Sequence, residues 1–384
     1  MQYRTFGRSG PQVSVLGFGA MRIPTHPDRT ADLENAVPLL KRGLELGINY
    51  IDTAHGYCEG TSEVAVGQAV KGLDRSRITL TTKVPAGDEE LASAASWRER
   101  LELSLKRLDT HIDYVLFHGL GWDVFEKYVS QTGMALEAAR QAQAEGLVKH
   151  IGFSSHDTPG NIIRLVDTGE FEAVLMQYNY LDRHNELALT HAHERGLGVS
   201  IMGPVAGGRL VIPGGVPVAG DQQMKTPELA LRFVWNNPGV SVALSGMSSV
   251  EQLEENVASA NRLETLSDSE REQIDQLFEQ NLKLADLYCT GCNYCLPCPN
   301  DVQIPENFRY MNWYRIWGMQ AEAQKAYNDL GNEKGAWTPW AGMILGKKAE
   351  DCLQCGECEP KCPQRIPIVE QLQEVARVLG GRNF

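Results

Sequence analysis

INYIDTAHGYCEGTSEVAVGQAVKGLDRSRITLTTKV, residues 48–84, opens and closes on a short β-rich run, INYIDTA from Ile48 and ITLTTKV from Ile78, with informative polar residues where each run ends. Working outward, VSVLGFG from Val13 precedes this stretch. YVLFHG from Tyr114, VKHIGFSS from Val148, AVLMQYN from Ala173, GVSIMGP from Gly198 and VSVALSG from Val240 follow it. Their near-continuous apolar character suits strands buried on both faces. Between them, segments such as DLENAVPLLKRGLELG and WRERLELSLKRL place apolar residues at three- and four-residue spacing with charges on the other face, as helices do. Gly47, Gly146 and Gly196 stand where helix C-caps are expected. Eight strand–helix units predict an α/β fold, closed as a (β/α)8 barrel. An open doubly wound sheet is the weaker alternative, because GFGAMR from Gly17 reaches Arg22 where a G-x-G-x-x-G turn needs its third glycine. In such a barrel the chemistry sits on loops at the C-terminal ends of the strands.

The chain has 384 residues, more than one barrel of roughly 250 residues needs, so a second, smaller domain is expected. Hydrophobic residues make up 42% and charged residues 22%, a balance that supports a large buried core. A net charge of -13 argues against a dedicated nucleic-acid or anionic-membrane surface, which needs clustered Lys and Arg. MQYRTFGRSG lacks the apolar core of a secretory signal and no run reaches bilayer-spanning length, so a cytoplasmic protein is expected. Eight of the nine cysteines follow position 288, and only Cys58 precedes it. Cytosolic thiols stay reduced, so metal ligation is the better reading than disulfides. The asymmetry divides the chain into a barrel over residues 1–280 and an extension over 281–384.

DTAHGYCEGTSE after the second strand supplies Asp52 and Tyr57, TTK ends the third strand on Lys83, and LFHG ends the fourth on His118. Singly, each has a bland explanation: a helix cap, a packing ring, a structural His. Together, at three neighbouring strand ends, they predict one reaction centre. With GFSS and MQYN in this order, residues 1–280 resemble the aldo-keto reductase family. That resemblance implies hydride transfer between a nicotinamide and a small carbonyl or alcohol. Reduction of a carbonyl needs a proton for the developing alkoxide, and a free Tyr with a pKa of about 10 holds its proton tightly. By resemblance, Lys83 favours the phenolate of Tyr57, Asp52 pairs with Lys83, and His118 donates a hydrogen bond to the substrate oxygen.

The resemblance also implies that Ser154, Ser155 and Gln177 bond the nicotinamide carboxamide and that the GPVAGGRL loop from Gly203 approaches the pyrophosphate, where small residues permit close contact. In SSVEQLEEN, the residues Ser249, Gln252, Glu255 and Asn256 match positions that contact the adenosine end. Many relatives carry Arg where Gln252 stands, the stronger phosphate ligand. NADP(H) is favoured over NAD(H). Met202 stands where many members place a ring against the nicotinamide, and packing and cofactor contact are equal readings for it. Cys58 is read mainly as lining the mouth. His191 and His193 lack the i, i+4 spacing of a helical metal site and are read as an exposed helix end.

The extension carries C-T-G-C-N-Y-C-L-P-C-P, with Cys289, Cys292, Cys295 and Cys298, and C-L-Q-C-G-E-C-E-P-K-C-P, with Cys352, Cys355, Cys358 and Cys362. The second run is a full C-x2-C-x2-C-x3-C-P signature, in which three thiolates bind one [4Fe–4S] cluster and the fourth reaches the other. Two [4Fe–4S] clusters follow, one on Cys289, Cys292, Cys295 and Cys362, the other on Cys352, Cys355, Cys358 and Cys298. The first run has two residues rather than three before Cys298, which leaves the crossed ligand open. Zinc on four cysteines is the competing reading. Between the runs, NFRYMNWYRIWGMQAEAQKAYNDLG has helical period, so the extension resembles the helical dicluster ferredoxins, with Trp313, Tyr314, Trp317 and Trp337 read as core or docking rings. GNEKGAWTPWAG is read as a loop.

A nicotinamide delivers two electrons and each cluster accepts one, so an external one-electron carrier such as ferredoxin or flavodoxin is an expected partner. A redox sensor or electron-transfer subunit that uses the barrel for binding is the alternative. HGLGW around Trp122 and the Val211–Gln223 segment carry no readable substrate code.

Overall fold

The computed structural model describes residues 1–206, 216–217, 223–262, 266–281, 289, 293–316, 320–332, 336–338 and 342–381. Strands and helices alternate through its first unit: β1 Leu16–Gly19, α1 Leu33–Glu45, β2 Tyr50–Asp52, α2 Ser62–Val70, β3 Thr79–Pro85, α3 Ala94–Leu108, β4 Ile112–His118 and α4 Ala135–Ala144. Then come β5 Val148–Ser155, α5 Pro159–Asp167, β6 Ala173–Gln177, α6 Glu186–Glu194, β7 Gly198–Met202, α7 Thr226–Asn236, β8 Val242–Ser245 and α8 Val250–Asn261. Each strand pairs in parallel with the next, and β8 closes the ring on β1 through Ala243 opposite Leu16. The expected (β/α)8 barrel is therefore present, and the open sheet is excluded.

The local chemistry of the helix ends explains the chain reversals. Asp32 caps α1 by accepting from the Asn35 N–H, and the Ser93 hydroxyl caps α3 by accepting from the Ser96 N–H. Gly47, Gly146 and Gly196 take φ of +98°, +77° and +88°. The N–H of the residue after each, Ile48, Leu147 and Leu197, donates at 3.0 Å to the carbonyl five residues back. This is the bond that ends a helix on a left-handed residue, and glycine adopts that conformation without a Cβ penalty.

The VSVLGFG run divides, where the sequence suggests one strand. Gln12–Ser14 pairs antiparallel with Tyr3–Thr5 in a hairpin, the Val15 N–H donates to Gln2 O at 3.0 Å, and only Leu16–Gly19 enters the barrel. An apolar run does not say which strand it will pair with, so tertiary pairing decides. The hairpin carries Phe6 into the interior among Val13, Tyr50, Tyr114, Leu116, Ala173, Leu175, Val242 and Leu244. Tyr50, Ala173 and Val242 begin their strands, so Phe6 plugs the N-terminal end. Its ring lies 5.2 Å from Tyr50 and 4.9 Å from Tyr114, within the range of favourable aromatic pairs. A Cβ on Gly198 would stand 2.3 Å from that ring, which explains the glycine. With one end filled, the open mouth lies at the C-terminal ends of the strands.

A second compact unit contains α9 Asp268–Asn281, α10 Ile304–Ile316, α11 Gln320–Asp329 and α12 Ile368–Gly380. Ile368, Leu372, Val375, Ala376 and Leu379 form the buried stripe of α12 and pack with Ile304, Phe308 and Met311 of α10 and with Tyr327 of α11. GNEKGAWTPWAG, read as a loop, supplies Ala336–Thr338, which pairs with Gly342–Ile344 in a short hairpin. Gly and Pro mark the reversal there without revealing the pairing. Trp313 is buried against Tyr310, and Tyr314 packs on the same core; Trp317 and the Trp337 side chain lie outside the described residues. Among the described residues, no helix is long and apolar enough to cross a membrane.

Candidate active site

Asp52 ends β2, Lys83 lies on β3 and His118 ends β4, so three adjacent strands deliver three of the four expected residues to the mouth. Tyr57 follows β2 in a tight turn. Lys83 Nζ donates to Asp52 Oδ1 at 2.5 Å, to Thr53 O at 2.8 Å and to Tyr57 OH at 3.1 Å. Both partners of the ion pair are buried. Burial pushes the Asp52 carboxyl up and the Lys83 charge opposes it. Asp52 Oδ2 has no hydrogen-bond partner among the described residues. Lys83 is thus fixed by two acceptors beneath and presents its third bond to the phenol. The Thr53 carbonyl is a contributor that side-chain reasoning missed.

His118 meets the Tyr57 ring edge-on, with centroids 5.7 Å apart. Desolvation, reinforced by the Lys83 charge, pushes its pKa down to about 3. The imidazole is therefore neutral near pH 7 and carries one N–H rather than a positive charge. Unfolded His takes up a proton near pH 6.5, whereas folded His118 does not until about pH 3. The unfolded state therefore binds more protons between these values, and stability falls as the pH drops below about 6.5. His118→Asn removes this liability. In thermal denaturation the variant's Tm is expected to improve relative to wild type on going from pH 7 to pH 5. A difference independent of pH would contradict the assignment.

Cys58, Glu59 and Gly60 follow Tyr57 with φ of +50°, +52° and +82°. Left-handed non-glycine residues cost about 1–2 kcal/mol each, so the turn is held by its surroundings. Burial pushes the Cys58 thiol up to about 11, and its Sγ lies 3.8 Å from Met21 O. Cys58 is therefore a packed, protonated thiol, in line with the mouth-lining reading and against a reactive one.

Several residues expected at the cofactor have work within the fold. Ser154 Oγ accepts from the Gly119 N–H at 2.9 Å, and Ser155 Oγ donates to Leu120 O at 2.7 Å. Both serines thus secure the loop that follows His118. Gln177, at the end of β6, lies against Gly203, where a Cβ would stand 2.4 Å from its Nε2. Gly203 has φ +63°, and its carbonyl accepts from Asn179 Nδ2 at 2.9 Å. Met202 is partly buried against the barrel interior. Ser249 caps α8 through the Gln252 N–H, and Gln252 Oε1 accepts from the Ser248 N–H at 2.9 Å. Asn256 Nδ2 donates to Ser245 Oγ at 3.1 Å, and Glu255 lies exposed on the same helix. These four therefore share the first turns of α8, beside the end of β8, where the helix dipole favours an anion. His191 bonds Asp167 at 2.8 Å near the end of α6. Residues 207–210 and most of the 211–223 segment lie outside the described residues.

In the second unit, Cys298, Cys352, Cys355 and Cys358 line one cavity, together with Ile304, Val369 and Leu372. Cys289, Cys295 and Cys362 line another, together with Ile304, Phe308 and Ile368; Cys295 borders both. Cys292 lies outside the described residues. Gln354, at φ +55°, turns its N–H toward Cys352 Sγ at 3.4 Å. A zinc site gathers its sulfurs to about 2.3 Å from one point. Here Cys298, Cys352, Cys355 and Cys358 share one pocket and Cys289, Cys295 and Cys362 another. Apolar walls, spaced thiols and an N–H to sulfur fit an iron–sulfur cluster.

Comparison with known proteins agrees with both halves. The model of the aldo/keto reductase family matches residues 15–212 and 216–279, and that of the 4Fe-4S dicluster domain matches residues 288–366. The NADH-specific methylglyoxal reductase of Escherichia coli is 28% identical over 322 residues, covering 71% of this chain and 97% of that protein. The holo form of an aldo-keto reductase from Bacillus halodurans is 32% identical with a TM-score of 0.60, covering 72% of this chain and 96% of that one. An aldo/keto reductase from Klebsiella pneumoniae in complex with NADP and acetate is 27% identical with a TM-score of 0.59, covering 72% and 96%. The family match runs through every strand of the barrel and every residue of the mouth described above: this chain is an oxidoreductase that belongs to the aldo/keto reductase family and carries a C-terminal 4Fe-4S dicluster domain.

Proposed function

We propose that the chain interconverts a small carbonyl and its alcohol with a nicotinamide, using Asp52, Tyr57, Lys83 and His118 as catalytic residues. The observation that carries this reading is the Lys83 ammonium, buried on Asp52 and 3.1 Å from the Tyr57 phenol. The bound nicotinamide supplies or takes the hydride. Tyr57 donates the proton to the developing alkoxide, the fixed Lys83 charge offsets the phenolate left behind, and neutral His118 orients the substrate oxygen. For the alcohol the proton moves the other way. Anaerobic turnover with NADPH or NADH against a panel of aldehydes, sugars and quinones tests the proposal. No turnover with any of them would count against it.

Ser154, Ser155 and Gln177 border the nicotinamide end, Gly203 the pyrophosphate, and Ser249, Gln252, Glu255 and Asn256 the adenosine end, with NADP(H) favoured over NAD(H). The named relatives include an NADH-specific reductase and a complex with NADP, so the choice turns on α8 rather than on the family. Gln252→Arg replaces a neutral amide with a bidentate cation. A hydrogen bond to a charged group contributes about 1.5–3 kcal/mol, so the NADPH to NADH ratio of kcat/KM is expected to rise roughly tenfold to a hundredfold, with kcat little changed. An unchanged ratio would remove residue 252 from the phosphate site.

Residues 281–384 hold two [4Fe–4S] clusters in this reading, one on Cys298, Cys352, Cys355 and Cys358 and one on Cys289, Cys292, Cys295 and Cys362. Each supplies one-electron storage. A one-electron carrier such as ferredoxin or flavodoxin is the partner that chemistry calls for.

A further inference from the structure

The turn that carries Tyr57 is buttressed from behind. Arg107, on α3, donates through Nη1 to His55 O at 2.9 Å and to Glu63 Oε2 at 3.4 Å. A Cβ on Gly60 would stand 2.5 Å from Arg107 Nη2, so the guanidinium lies directly against the left-handed end of the turn. Glu63 is fully buried at the start of α2, and its Oε1 accepts from the Thr82 hydroxyl at 2.6 Å, one residue before Lys83. The His55 N–H donates to Lys83 O at 3.0 Å, and its Nδ1 lies 3.2 Å from Ser104 Oγ on α3.

One ion pair thus joins α3, β3 and both ends of the segment from His55 to Gly60. The phenol comes from that segment and the ammonium from the strand beside it. The geometry points to Arg107 and Glu63 as positioning residues that set Tyr57 against Lys83. The consequence for turnover rests on the carbonyl-reduction reading; the geometric role does not.

The test uses full-length protein purified anaerobically, as wild type, Arg107→Ala, Arg107→Lys and Glu63→Gln. The Tyr57 phenol is titrated by ultraviolet difference, each variant against the same variant carrying Tyr57→Phe, so that the signal reports the phenol's relation to Lys83, Asp52 and His118. In Arg107→Ala the midpoint is expected to rise by about one pH unit as the phenol leaves the ammonium. kcat is expected to fall at least tenfold with nicotinamide KM within twofold. Arg107→Lys and Glu63→Gln should fall between. Added guanidinium should restore both the titration and kcat of Arg107→Ala. An unmoved midpoint overturns the proposal. So does a loss of kcat that tracks Tm and resists guanidinium, which would mark plain support of the fold. If wild type reduces no carbonyl, the functional reading fails while the titration still decides the positioning role.

Discussion

Tyr57→Phe is expected to lower carbonyl reduction by about three orders of magnitude, since a positioned general acid contributes roughly 10²–10⁴-fold. The substitution removes one oxygen and little else. The ring keeps its edge contact with His118 at 5.7 Å and its place 4.5 Å from the Lys83 ammonium. Lys83 keeps Asp52 and Thr53 O. Nicotinamide affinity should therefore stay within twofold, measured by fluorescence titration beside steady-state kcat and KM. That pattern, kcat lost and binding kept, marks an interaction made in the transition state. Near-wild-type turnover would remove Tyr57 as the acid. Lys83→Met is a less clean probe: it leaves the Asp52 carboxyl buried without its partner, and breaking such a pair costs about 3–5 kcal/mol of stability.

The barrel was legible because its signal is repeated. Eight apolar runs separated by helical periods, with glycines at three helix ends, leave few ways to fold, and the polar residues at the second, third and fourth strand ends had to share a mouth. The hairpin that plugs the other end was not legible. Val13 is as apolar as the barrel residues that follow, and an apolar run does not say whether it pairs with the short Tyr3–Thr5 segment just before it or with a neighbour in the barrel.

Polar residues hid more. A serine at a strand end can bond a ligand or the neighbouring loop, and Ser154 and Ser155 already bond the loop after β4. Ser249 and Gln252 cap and brace the start of α8 in the same way. A hydroxyl has one donor and two acceptor sites, so such bonds do not remove a residue from a site; they preset its direction. The same reasoning reveals Arg107 and Glu63, which lie on helices and look in sequence like any surface charges. Their meaning comes from what they face.

In the extension the spacing of the first run left the crossed ligand open, and the cavities give a way to decide it. Cys298 borders the cavity of Cys352, Cys355 and Cys358, while Cys362 borders that of Cys289 and Cys295. If those cavities are the cluster sites, Cys298→Ser and Cys352→Ser damage the same cluster. Wild type purified anaerobically should carry about eight iron and eight acid-labile sulfide per chain, two cubane clusters. Each single variant should lose about half of both. The double variant Cys298→Ser/Cys352→Ser should lose no more than either single one, because two lesions in one ligand set are not additive. Uncrossed ligation predicts the opposite: Cys298→Ser would empty the first-run cluster, Cys352→Ser the second, and the double variant nearly all the iron. Cys352→Ser/Cys362→Ser reverses the expectation, since it strikes both clusters under crossed ligation and only one under uncrossed ligation. Comparing the two double variants by iron and sulfide analysis therefore separates the arrangements even if the single variants lose some metal through destabilisation. Zinc without sulfide in the wild type would refute both.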